Sequence, residues 1–165
     1  MIAALDVSYD EASSLGTAAA VVFENWNDPA PASEYVATIT KIEAYTPGEF
    51  FKRELPCLLA VIDRIKESLE ILVVDGYVNL NAKPGLGWYL FEKLNRNSAV
   101  IGVAKSHFRD APAIQILRGQ SKSPLYITAA GIDAQDAAQH IRQMHGQHRI
   151  PTLLKRVDRL TRKDD

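Results

Sequence analysis

Two short apolar runs, EILVVD over residues 70–75 and AVIGVA over residues 99–104, stand between segments of helical periodicity. A strand that is apolar at every position has both faces covered, as a central strand does between layers of helices. This sets the class as α/β and makes the surrounding pattern readable. Residues 2–9, 17–23 and 34–42 read as three strands. The first two are joined by a polar turn, and the last two by an exposed loop over residues 25–33 that carries two prolines. In residues 49–69, Phe50, Phe51, Leu55, Leu58, Leu59, Ile62 and Ile65 recur at three- and four-residue steps after a Thr46-Pro47-Gly48 turn, which predicts an amphipathic helix. Pro56 conflicts with it: a proline inside a helix costs about 3 kcal/mol, so the helix is expected to kink there or to begin near it.

Residues 86–94 read as a second helix, 113–117 and 125–129 as two further strands, and 133–145 and 152–163 as closing helices. Trp88 and Tyr89 share helical spacing with Leu86, Leu90 and Leu94 and are expected in the core. Three antiparallel strands followed by a helical crossover to a parallel strand predict a mixed sheet with helices on both faces. A right-handed crossover that returns beside the first strand would set Asp6 close to Asp75. Ligand sites in such sheets favour the carboxyl ends of strands where strand order reverses, and both aspartates lie at such ends.

A chain of 165 residues, 47% apolar and 24% charged, suits one compact domain over residues 1–165 and excludes a disordered or disulfide-stapled protein. No run approaches the roughly 18 apolar residues of a membrane span, Met1 leads directly into the first strand, and a cytoplasmic protein is expected. The single cysteine, Cys57, lies in a helical apolar pattern and reads as a buried thiol. A formal charge of −1 means that any nucleic-acid site is a local patch.

Asp6, in LDVSY, and Asp75, in VVDG, are acids set in otherwise apolar strand sequence. A bare carboxylate is costly to bury, and two of them at neighbouring strand ends call for a cation between them. Glu54 on the intervening helix and Asp158 near the carboxyl end read as solvated helix acids when taken singly, and extend the donor set when taken together. Hard oxygen donors suit magnesium or manganese rather than zinc. His107, His140, His145 and His148 form no zinc signature and are expected at the surface. The basic segment Lys155, Arg156, Arg159, Arg162 and Lys163 reads either as a phosphate-backbone contact or as a solvated helix end favoured by the helix dipole.

Five of these stretches, taken in order, resemble the endonuclease V family. They are Asp6 within LDVSY; Tyr45-Thr46-Pro47-Gly48 followed by Phe51-Lys52-Arg53-Glu54; Val74-Asp75-Gly76; Ile101-Gly102-Val103-Ala104-Lys105-Ser106; and Arg149-Ile150-Pro151 before Arg156-Val157-Asp158. The resemblance implies a ribonuclease H-like mixed sheet flanked by helices. It also implies a magnesium-dependent repair nuclease, with manganese able to substitute, that cuts DNA or RNA one nucleotide beyond a deaminated base, chiefly inosine. By the same resemblance Asp6, Glu54 and Asp75 are the catalytic, metal-binding acids, and Asp158 stands where the family completes that site with a histidine or an aspartate. Lys105 is the catalytic lysine, and Tyr45, Pro47 and Gly48 form the wedge beside the flipped base. Gly76 belongs to the family's Asp-Gly pair.

The sequence departs from the family after that pair. A His-Pro-Arg element is missing from residues 77–87, where Asn81, Lys83 and Pro84 are partial replacements. The Pro-Glu-Pro-Thr-Arg stretch appears as Pro151-Thr152-Leu153-Leu154-Lys155-Arg156, and the helical segment that typical members carry ahead of the first strand has no counterpart. The losses fall in nucleic-acid contacts, for which Lys83, Lys155 and Arg156 remain candidates, and not in the acids. Two readings stay open on these residues: a metal-dependent endonuclease, or a nucleic-acid-binding protein with lost or altered cleavage.

Overall fold

A computed structural model describes residues 1–162. Its main sheet has the strand order β3-β2-β1-β4-β7-β9-β8. Strands β1 (Ile2–Asp10), β2 (Leu15–Phe23) and β3 (Ser33–Ile39) form an antiparallel meander. Helix α1 (Phe50–Ile62) then crosses over, so that β4 (Ile71–Asp75) pairs parallel with β1. A small hairpin, β5 (Asn79–Leu80) and β6 (Lys83–Pro84), precedes α2 (Leu86–Lys93). Strand β7 (Ala99–Ala104) is parallel to β4. Strand β9 (Leu125–Ala130) runs antiparallel to both β7 and β8 (Ile114–Ile116). Helices α3 (Ala134–Gln143) and α4 (Thr152–Thr161) close the chain.

The alternation of strand side chains explains why both sheet faces are covered. Ala3, Leu5, Leu72 and Val74 pack against Leu55, Leu58 and Val61 of α1 and Leu90 and Phe91 of α2. The intervening Ala4, Val73 and Ile101 pack against Ala137, Ala138 and Ile141 of α3 and Leu153 and Val157 of α4. Cys57 is buried in the first of these layers, and Trp88 and Tyr89 pack at its margin, half-buried.

Three elements differ from the periodicity. Helix α1 runs through Pro56, which lies on its exposed side, and does not begin there. It stops at Ile62 although the apolar spacing continues to residue 69, because the chain tightens into i→i−3 turns at Arg64 and Ile65. Beyond them the Glu67 carboxylate is captured by the hydroxyls of Ser33 and Tyr35, the latter at 2.7 Å. The β5–β6 hairpin was not legible as strands; Asn81, with φ at 53°, makes its turn.

The turn after β4 sets the position of the site. Gly76 has φ at +112°, a left-handed conformation that favours glycine. Its N–H donates to Val103 O at 3.0 Å. Beneath it, a Cβ on Gly102 would lie 2.5 Å from Gly76 O and 2.7 Å from Thr128 Oγ1. The Thr128 hydroxyl in turn accepts the Val78 N–H at 2.8 Å. Gly102→Ala is therefore expected to lose about 1–3 kcal/mol in chemical denaturation, the range of an overpacked core, and to lower cleavage by shifting Asp75. Unchanged stability would show that the turn yields without resistance.

Candidate active site

Parallel pairing brings the carboxyl ends of β4 and β7 beside the middle of β1, which runs on to Asp10, so Asp6 lies within its strand and not at the strand end that the sequence suggests. The register pairs Leu5 with Val74, so one residue further on Asp6 stands beside Asp75, and Asp75 pairs with Val103 of β7. Lys105 follows directly after β7, and its Nζ lies 3.3 Å from Asp75 Oδ2, with both side chains 49% exposed. Asp158 comes from α4, across the sheet. Asp6, Asp75, Lys105 and Asp158 line one pocket, which Leu154 and Val157 complete from α4. Glu54, from α1, joins Asp6 and Asp75 around an adjoining cavity of about 120 Å³. A groove of about 930 Å³ leads from Asp6, Asp75, Lys105 and Asp158 along the β1–β2 hairpin, past Ser8, Thr17 and Thr38.

Helix α4 is held over these strands by polar contacts. The Ser8 hydroxyl donates to Thr161 O at 2.5 Å. Arg156 bonds Glu34 of β3 through Nε and Nη2 at 2.7 and 2.9 Å. Arg162 donates to Asp158 Oδ1 from the same two positions, at 3.3 and 3.1 Å.

The electrostatics follow from burying acids beside acids. Burial, then the Asp75 charge and with it Asp158, pushes the Asp6 carboxyl up to about 7, against the pull of the Val7 N–H. Glu54 rises to about 7 through burial and the charges of Asp75 and Asp6, which Arg53 opposes. Among the described residues no three His, Cys, Asp or Glu side chains are drawn tightly enough together to hold a metal ion as they stand. The donor chemistry nevertheless fits a hard divalent cation, since four carboxyls face two adjoining pockets and two of them resist ionisation without a counter-charge.

The other residues singled out in the sequence form separate groups. Tyr45 is 52% exposed and shares a cavity of about 230 Å³ with Glu11, Glu43 and Arg53. Pro47 and Gly48 line a different cavity, of about 510 Å³, with Lys83 and Pro84 of the small hairpin and with Tyr89, which stacks on Phe51 at 3.9 Å between centroids. Lys155 and Arg159 are exposed on α4, whereas Arg156 and Arg162 are ion-paired, and Lys163 lies outside the described residues. His107, His145 and His148 are exposed as expected; His140 is half-buried and stacks on Trp26 at 4.6 Å, because α3 packs beside the loop after β2.

Sequence reasoning missed two arginines. Arg53 is buried beside Glu54, and the signals for it were its place next to a candidate acid and within the Phe51-Lys52-Arg53-Glu54 stretch. Arg149, noted only as part of a motif, donates to the carbonyls of Ser123, Pro124 and Lys105 and so fixes the backbone of Lys105.

A family model described as Endonuclease V matches residues 1–128. The chain belongs to the endonuclease V family. Its activity class is accordingly that of an endonuclease, a hydrolase. The endonuclease V of Streptomyces avermitilis is 28% identical over 188 residues, covering 98% of this chain and 79% of that protein. The crystal structure of Streptomyces avermitilis endonuclease V superposes with a TM-score of 0.77 at 24% identity, over 97% of this chain and 78% of the other. A Ciona intestinalis endonuclease V, solved with a 24-mer DNA containing an inosine followed by a ribo-adenosine, has a TM-score of 0.77 at 16% identity, over 97% and 83%. The sheet and its flanking helices thus have the ribonuclease H-like arrangement of endonuclease V.

The raised carboxyls of this site make stability depend on pH in a defined sense. Asp6 and Glu54 ionise near 4 in the unfolded chain and near 7 in the folded one, so the folded state binds more protons between those values. In chelator, the unfolding midpoint is expected to fall as pH rises from about 4 to 7 and to level off above it. Millimolar magnesium or manganese should raise the midpoint more at pH 8 than at pH 5, and a scan with the opposite slope would remove these two groups as the cause.

Proposed function

We propose that this chain, as a single domain over residues 1–165, is a cytoplasmic, magnesium-dependent endonuclease that hydrolyses a phosphodiester bond near a deaminated base, inosine, in DNA or RNA. The observation that carries this reading is the convergence of Asp6, Glu54, Asp75 and Asp158 around adjoining pockets with Lys105 at their edge, where a groove opens. Family membership and the inosine-containing DNA held by the Ciona intestinalis protein support the substrate class.

In this reading Asp6, Glu54, Asp75 and Asp158 hold the cation, for which manganese can substitute. Bound there, it supplies a water of lowered pKa and neutralises charge at the scissile phosphate. Protons compete with the cation for carboxyls that ionise near 7 in its absence, so at limiting magnesium cleavage should rise with pH through that range. Lys105 places its ammonium beside Asp75 at the pocket wall, where it stabilises charge that develops on the phosphate. The left-handed Gly76 turn keeps the Asp75 carboxylate at the mouth. Tyr45 is exposed enough to stack against a neighbouring base while the target nucleotide is extruded. Pro47, Gly48 and Lys83 line the cavity next to it, and Lys155 serves the phosphate backbone from α4, where Arg156 is held in its pair with Glu34.

End-labelled single-stranded DNA and RNA, each with one inosine and an adenosine control, test this. Cleavage one bond beyond the inosine in magnesium is expected. Asp75→Asn and Lys105→Met should each lower the rate by about 10²- to 10³-fold, the scale of losing one group that meets developing charge. A folded wild-type protein that cuts no strand in magnesium or manganese would overturn the assignment.

A further inference from the structure

Glu11 and Arg53 form an unequal ion pair. Glu11 Oε1 accepts from Arg53 Nη2 at 2.7 Å; the Glu11 side chain is 81% exposed and that of Arg53 only 10%. The guanidinium is fixed by packing, its Cζ 4.0 Å from the centroid of the Tyr9 ring. Its Nε is buried and has no hydrogen-bond partner among the described residues. Glu11, by contrast, sits in the turn between β1 and β2, with most of its side chain in solvent.

An arginine presents Nε and one Nη as a planar fork that carboxylates and phosphates fill with two parallel bonds. Arg156 shows the filled fork in this same molecule, with both nitrogens bonded to Glu34. At Arg53 one tine is occupied and the other is empty. A guanidinium buried this deeply requires an anion, and a half-filled fork marks a weak occupant. Glu11 also lines both the groove that begins at Asp6, Asp75 and Lys105 and the cavity that Arg53 shares with Tyr45. A strand running from the catalytic carboxylates to Tyr45 passes this residue.

We propose that Arg53 is a phosphate-binding residue for the nucleic-acid strand, and that Glu11 occupies its fork until a backbone phosphate displaces it. The proposal rests on the endonuclease reading of the groove. Turning an exposed carboxylate out to water costs little, and the phosphate gains two charge-assisted bonds where Glu11 makes one.

The test is fluorescence anisotropy of a labelled single-stranded inosine oligonucleotide in magnesium, with every protein in the Asp75→Asn background, in which cleavage is too slow to alter the strand during the reading. Glu11→Gln is expected to tighten binding about three- to tenfold, the scale of one released ionic hydrogen bond. Glu43→Gln removes an equal charge from the wall of the same cavity and should change binding less than twofold. Arg53→Lys should weaken binding and abolish the gain from Glu11→Gln. Equal effects of Glu11→Gln and Glu43→Gln, or a gain that survives Arg53→Lys, would overturn the proposal and leave the endonuclease reading standing. No binding by the Asp75→Asn parent would remove the groove as a nucleic-acid site, and the proposal with it. Because Glu11 is on the surface, its variant decides the matter even if Arg53→Lys does not fold.

Discussion

The parallel pairing of β1 with β4 is the contact on which the rest depends. Its register sets Leu5 beside Val74, so the residues that follow, Asp6 within β1 and Asp75 at the end of β4, are forced into company. The apolar residues that make β4 a central strand are the same ones that dehydrate this edge. Burial and like charge then act together on Asp6 and Glu54, and the folded chain carries two carboxyls that resist ionisation up to about 7. This is a stability loss accepted at one place in a well-packed domain, as expected where a site is built for a cation.

Around that edge the loops are held by cations that satisfy backbone carbonyls. Arg118, buried, donates to Met144 O and His148 O at 2.6 Å and to Gly146 O and Arg149 O at 3.2 and 3.3 Å. Arg149 does the same for Ser123, Pro124 and Lys105. Tyr77 bridges Ser106 O and the Phe108 N–H at 2.8 and 3.0 Å. These loop groups lie outside the helix and strand ladders, so guanidinium and phenol groups supply their partners. The consequence for function is a fixed backbone at Lys105 under a side chain that remains half exposed.

Much of this was legible in the chain. Strand β7 was bounded correctly from its apolar run, the crossover after β3 returned beside β1 as expected, and Cys57 was buried as its spacing implied. The errors have physical causes. Helix α1 tolerates Pro56 because that position faces solvent, and it ends early because Glu67 finds hydroxyl partners on β3. The β5–β6 hairpin is too short for any periodicity to announce it. His140 looked like a surface residue on a helix until the packing of α3 brought it against Trp26.

The sequence by itself determined most of the secondary elements, the two covered faces of the sheet and the identity of the acids, because hydrophobic period and a carboxylate set in an apolar strand are local properties of the chain. Only the tertiary structure decided which acids share a pocket, that Tyr45 and Gly48 line different cavities, that Arg156 is bonded to Glu34, and that Arg53 is half satisfied by Glu11. Those pairings join residues far apart in sequence. They depend on strand register and on which helix covers which face, and no local pattern encodes either.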